Sequence, residues 1–152
     1  MIKIKKSPTA DTRTCDCSTV SKDQLLASSR QHIFDVLDAL IFFQSQLDFA
    51  AGLHDHTKIS EIDQFHADFQ TNFKQTGWWD NHRKAERHHL SQPDGVRDDV
   101  NLIDVLEYIA DCVMAGKARS GKVYDITIDA MVLARAFKNT CALLEKEVVV
   151  EE

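Results

Sequence analysis

The run His54-Asp55-His56-Thr57-Lys58 sets an imidazole beside a carboxylate, and His82, His88, His89 and Asp111 follow downstream. These side chains suit a divalent ion that accepts mixed nitrogen and oxygen donors. Two neighbouring residues cannot complete a coordination shell, so further donors must come from other elements. His32 upstream and Asp111 downstream are candidates. The expected cofactor is one or two divalent ions, drawn from Mn, Mg, Co, Fe, Ni and Zn. Such an ion lowers the pKa of bound water towards ~7 and neutralises charge on a phosphoryl oxygen. Asp55 is the carboxylate best placed to bridge two ions, and Lys58, within one turn of it, could contact a phosphate. Arg83 and Arg87, four residues apart, could clamp further phosphate oxygens. Glu107 could orient a ligand or the attacking water. The competing reading makes these histidines scattered surface residues and Asp55 a helix cap, since seven histidines produce many accidental spacings.

The order of these residues resembles that of the HD superfamily of metal-dependent phosphohydrolases, in which a His, a His-Asp pair and a final Asp follow one another along the chain. That resemblance implies His32, His54-Asp55 and Asp111 as ligands, with His82, His88 and His89 available to a second ion. Lys58 matches the HDxxK form of several branches. A closer resemblance is to a group of short phage and bacterial HD-like proteins with HDxSK, a later H-x-x-x-x-x-H-H segment and an acidic helix around an Asp. The corresponding segments here read HDHTK, HRKAERHH and LIDVLEYIADC. The similarity runs from about His32 to Met114. That group has Asn two positions before the paired histidines, where this chain has Glu86.

Composition narrows the partners. A net charge of −6 argues against broad binding to duplex nucleic acid, which depends on neutralising phosphates with Lys and Arg. A small phosphorylated substrate needs only a local positive patch. No apolar run is seen approaching the ~20 residues that cross a bilayer, and MIKIKKSPTADTR lacks the apolar core of a secretory signal, so the expected location is cytoplasmic, in a bacterium or an infected host cell, with no membrane partner. Cys15, Cys17, Cys112 and Cys141 have no zinc-finger spacing and read as reduced thiols.

Periodicity predicts an all-α, HD-like bundle of about five helices in one domain over residues 21–152, after a tail over residues 1–20 in which Ile2 and Ile4 could make a short edge strand. The first helix should span residues 23–51 and end at Gly52, with His32 beside its apolar stripe. A second should span residues 60–74 and bury Ile62, Phe65, Phe69 and Phe73. His66 on it reads as structural or exposed. Trp78 and Trp79 read as core anchors in front of a third helix over residues 80–89, on which His82, Glu86 and His89 share a face and His88 points aside. A Pro93-Asp94-Gly95 turn leads to a fourth helix over residues 99–118, then a loop at Gly116 and Gly121. The last helix, residues 126–148, should cover the core or pair with another subunit of a homo-oligomer.

His32, Asp55 and Asp111 are expected to converge although they are far apart in sequence, and side chains more than roughly 8 Å from a common point would remove that metal site, since first-shell bonds are only ~2 Å long. The function expected is hydrolysis of a phosphoester or phosphoanhydride in a nucleotide or similar small molecule. The alternatives are a non-catalytic metal-binding or regulatory module and, through the superfamily resemblance, a di-iron oxygenase.

Overall fold

The computed structural model describes residues 1–7, 9, 13 and 15–151. The protein is all-α. Among the described residues the helices are α1 (Lys22–Leu53), α2 (His56–Ser60), α3 (Ile62–Gln70), α4 (Trp78–Ala85), α5 (Leu102–Ser120) and α6 (Ala130–Glu147), with short 3-10 turns at Cys17–Thr19 and Pro93–Gly95. Two strands, β1 (Ile2–Lys5) and β2 (Val148–Glu151), pair in parallel, Ile2 opposite Val148.

The chain divides into two compact units, Met1–Ser45 with Ala142–Glu152, and Gln46–Cys141. In the first, the alternation of Ile2 and Ile4 is expressed as β1. Ile2 is buried, the Met1 amino group reaches Glu147 at 2.9 Å, and Lys3 reaches Glu151 at 2.9 Å. The start of the chain is therefore a paired strand rather than tail. Ser28, the one buried side chain of α1, hydrogen-bonds with the hydroxyls of Ser7 and Thr9 at 3.0 and 2.6 Å.

The apolar residues that give α1 its period, among them Ile33, Leu37, Leu40 and Phe49, are exposed. Within Lys22–Ser60 an 18-residue segment reaches a mean hydropathy of 1.2, long and apolar enough to cross a membrane by length and composition. The sequence reading missed it because Asp35, Asp38 and Asp48 break the uncharged run. Gly52 lies inside α1. The helix stops instead where Asp55 turns to a positive φ of 54°.

The core of the second unit is Leu90, Val100, Val105, Tyr108, Val132 and Ala136, with Ile126, Ile128 and Cys112 packed against it. Asn101 starts α5 with a capping box: its side chain accepts from the amides of Ile103 and Asp104, while the Asp104 carboxylate accepts from the Asn101 amide. Gly116 is in α5 rather than a loop, and a Cβ there would come within 2.7 Å of the Lys122 carbonyl oxygen, so the close approach of that chain favours glycine. The edge expected from Ile62, Phe65, Phe69 and Phe73 is only partly covered, with Ile62, Phe69 and Phe73 exposed and Phe65 tilted against Trp78 with ring centroids 4.6 Å apart.

Asp68 holds α3 to the start of α4. Its carboxylate has no accessible surface and accepts from the amides of Thr76 and Trp79, both at 3.0 Å, filling the capping role that Gly77 lacks a side chain to play. Burial raises its pKa, but these amides outweigh burial and hold it below the usual carboxylate range. Asp68→Ala should lower Tm by more than about 4 °C, because the two amides that its buried carboxylate accepts from lose their acceptor. The folded pKa is depressed, so the contribution is complete above the ordinary carboxylate pKa and is lost as pH falls through the folded value. Thermal melts between pH 7 and 3 should show an acid-side loss that is shallower in Asp68→Asn.

Candidate metal centre

The end of α1 and the start of α2 aim two side chains inward from one turn. Asp55 occupies the position before α2 but makes no side-chain capping bond, contrary to the reading of it as a helix cap. Its left-handed backbone, tolerable for Asp though unfavourable for most residues, turns the carboxylate away from the helix. Oδ2 pairs with the Lys58 ammonium. Oδ1 is buried without a hydrogen-bond partner, 3.3 Å from His82 Nε2 and 3.7 Å from His88 Nε2.

The paired histidines arrive on extended chain. Helix α4 ends at Ala85 and Glu86 is extended, so the helical face expected to continue to residue 89 is broken. This separates His88 and His89 and gives each its own neighbours. The His88 side chain is 1 % exposed and its ring lies 4.4 Å from that of His54. His89 Nε2 is 3.0 Å from Nε2 of His82, whose side chain has no exposed surface. Trp78 stacks on the His82 ring at 4.8 Å, and Trp79 packs on His82 and His89, closing that side to water.

Two groups of donors result, His54-Asp55-His88 and Asp55-His82-His89, each with donor atoms within 4.8 Å of one another. Asp55 belongs to both. Helix α5 adds Asp111, whose Oδ1 is 3.8 Å from His54 Nε2, and Glu107, whose Oε1 is 2.9 Å from His54 Nδ1. If His54 donates its Nδ1 proton to Glu107, its Nε2 lone pair faces Asp55 and Asp111, the orientation in which a carboxylate prepares an imidazole for a cation.

The residues fit a divalent ion on two grounds. Ligand bonds of ~2.0–2.2 Å imply donor separations of about 3.3–3.6 Å in a tetrahedron and about 2.8–3.1 Å in an octahedron. The separations of 3.0, 3.3, 3.6 and 3.7 Å fall in or close to these ranges. The second ground is that Asp55 Oδ1 and both His88 nitrogens are buried without hydrogen-bond partners, a costly state that a bound cation would relieve. His88 Nδ1 is 2.9 Å from Glu107 Oε1, yet the approach is not aligned for a hydrogen bond.

Electrostatics follow the same pattern. Burial pushes the Asp55 carboxyl up, but His82, Lys58 and His54 beside it hold it well below the usual carboxylate range. Glu107 is likewise lowered, burial being outweighed by His88 and His54. Burial opposes a charge on His88, but Glu107, Asp55 and Asp111 raise its pKa. His89 is driven down to about 3, first by burial and then by repulsion from His88 and His82, leaving a neutral imidazole.

Several expected site residues lie elsewhere. His32 is exposed in the first unit, beside a cleft with Ser7, Ser28 and Asp35, and it is far upstream of His54 in the same helix. Only residues three, four or seven apart share a helical neighbourhood, so His32 does not join His54. The expected site built on His32, Asp55 and Asp111 is therefore not formed; Asp55 and Asp111 meet at His54 instead, without His32. His66 is exposed.

The two arginines expected to clamp phosphate are committed to carboxylates. Arg83 makes a fork to Asp94 at 2.9 and 2.9 Å, and Arg87 makes one to Asp104 at 2.7 and 2.9 Å while also reaching Asp99 at 3.0 Å. Each guanidinium pKa is raised, above all by the hydrogen bonds it donates to Asp94 and Asp104 respectively. Arg87→Ala should cost roughly 1–3 kcal/mol, because it strands the buried Asp104 carboxylate. Urea unfolding should show that loss, while KM for any established substrate stays unchanged.

A cleft of about 500 Å³ opens beside His54, Glu107 and Asp111. Its other walls are Leu47, Ala50, Ala51, Leu106, Ala110 and Met114 with Asp48, so no Lys or Arg lines it. Asp68 and Thr57, both buried, were not singled out in the sequence, because their roles depend on partners distant along the chain. A scan against protein-family models, a search of curated proteins and a search of solved structures find no match to this chain.

Proposed function

We propose that the second unit is a metal-dependent phosphohydrolase acting on a nucleotide or a similar small phosphorylated molecule, as the resemblance of its motif order to the HD superfamily implies. The observation that carries this reading is the sharing of Asp55 by two converging donor groups. His54, Asp55, His88 and Asp111 would hold one ion, and Asp55, His82 and His89 the other. The ions, when bound, supply an activated water and charge neutralisation at phosphorus.

The chain's own residues do the rest. Lys58 offers its ammonium beside Asp55, where it can meet a phosphate oxygen. Glu107 orients His54. Trp78 and Trp79 keep water from the His82 side. The apolar cleft takes the organic part of the substrate, since its acidic lining repels phosphate and its aliphatic walls suit a neutral ring.

Elemental analysis of purified protein, followed by phosphate release from a panel of nucleoside mono- and triphosphates, tests the reading. The expected result is up to two equivalents of a divalent metal with chelator-sensitive hydrolysis. Bound metal without hydrolysis across the panel would favour the non-catalytic module. Iron with oxygen consumption would favour the oxygenase.

A further inference from the structure

Resting on the metal-centre reading, we infer that Thr57 and Glu86 form a tautomer lock that holds His82 Nε2 as a bare nitrogen donor for a cation shared with Asp55 and His89. Thr57 Oγ1 lies 2.6 Å from Glu86 Oε1 and 2.6 Å from His82 Nδ1. All three residues are buried. Glu86 Oε1 also accepts the Thr57 amide at 3.1 Å, and His56 Nδ1 is 3.1 Å from it, so this oxygen is an acceptor. A hydroxyl has one proton to give, and here it goes to Glu86. The lone pairs of the Thr57 oxygen then face His82 Nδ1, and at 2.6 Å that contact is attractive only if Nδ1 carries hydrogen.

A neutral imidazole protonated on Nδ1 is bare on Nε2. In His82 that atom faces His89 Nε2 at 3.0 Å and Asp55 Oδ1 at 3.3 Å. His82 Nε2 and Asp55 Oδ1 are then both acceptors, and with the His89 proton on Nδ1 its Nε2 is a third, an arrangement that a cation at a point between them would satisfy. Thr57 and Glu86 are positioning residues in this scheme, as neither reaches the point itself.

Two readouts test it. Long-range ¹H–¹⁵N correlation spectra of metal-stripped protein with labelled histidine, under mildly alkaline conditions, should show His82 protonated on Nδ1 and bare on Nε2. Titration with Mn²⁺ alone should then show two ions in wild-type protein. Thr57→Val should weaken one of them by at least ~10-fold and leave the other, while Thr57→Ser keeps both within about threefold of wild type. Glu86→Gln provides a second variant of nearly the same shape. Its amide can donate to Thr57, which frees the hydroxyl to turn to His82 and lets the ring protonate on Nε2, with the same loss of one ion. Retention of the His54 and His88 ion in each variant shows that the fold has survived. A wild-type protein that takes up no Mn²⁺ overturns the metal centre and this inference together. Normal Mn²⁺ uptake with His82 protonated on Nε2, or with the affinities of Thr57→Val and Glu86→Gln unchanged, overturns the lock alone.

Discussion

Asp55→Asn is expected to remove both metal ions and to lower turnover by at least ~10³-fold, or about 4 kcal/mol in the barrier. The size of the effect follows from the position of the carboxylate. Oδ1 faces His82 and His88, Oδ2 lies 3.6 Å from His54, and no other residue belongs to both donor groups. Removing its charge takes an anionic donor from each group at once. Asn is the better test than Ala, because it tolerates the left-handed backbone of this position and keeps the shape of the side chain. Ala would add backbone strain and confuse lost metal with lost fold. Elemental analysis and turnover should fall together, while His66→Ala, a change at an exposed residue, leaves both unaltered. Normal metal content in Asp55→Asn would remove the centre.

Lys58→Ala is expected to separate catalysis from coordination. The ammonium pairs with Asp55 Oδ2 and is partly exposed, so it can reach a ligand entering from solvent. A preorganised positive charge at a developing anion commonly contributes ~2.7–4 kcal/mol, so turnover should drop by about 10²–10³-fold. Metal content should hold, since the carboxylate remains. Lys58→Arg should rescue only in part, because a planar guanidinium restores charge without the compact geometry of an ammonium. If Lys58 serves only its ion pair with Asp55, its loss costs no more than ~0.5 kcal/mol of stability and leaves turnover intact. Steady-state kinetics beside a metal titration of Lys58→Ala decide between these outcomes, and unchanged turnover would remove Lys58 from the active site.

The paired histidines show how far a linear reading reaches. Treated as helical, residues 82–89 put His82 and His89 on one face and leave His88 aside. The chain leaves the helix at Glu86, which accepts from Thr57 in α2, and the pair then divides, His88 going to His54 and His89 to His82. The arginines went the other way. Arg83 and Arg87 are four apart on what reads as one basic face, but Asp94 and Asp104 reach them from later in the chain and neutralise both.

By itself the sequence determined the helical class, the turn that carries His54 and Asp55, and the joining of histidines and carboxylates in an order similar to that of a metal-dependent superfamily. Those properties are local: periodicity, capping and residue chemistry act within a few positions. Tertiary structure decided which candidates meet. His32 remained on exposed α1 because one helix cannot bring distant turns together, whereas Glu107 and Asp111 reached His54 because α5 packs near the end of α1 within the second unit. It also decided the surroundings of the donors, for the contact of His82 with Thr57 and the depressed pKa of Asp55 depend on burial and on hydrogen-bond and charge partners that linear spacing does not specify.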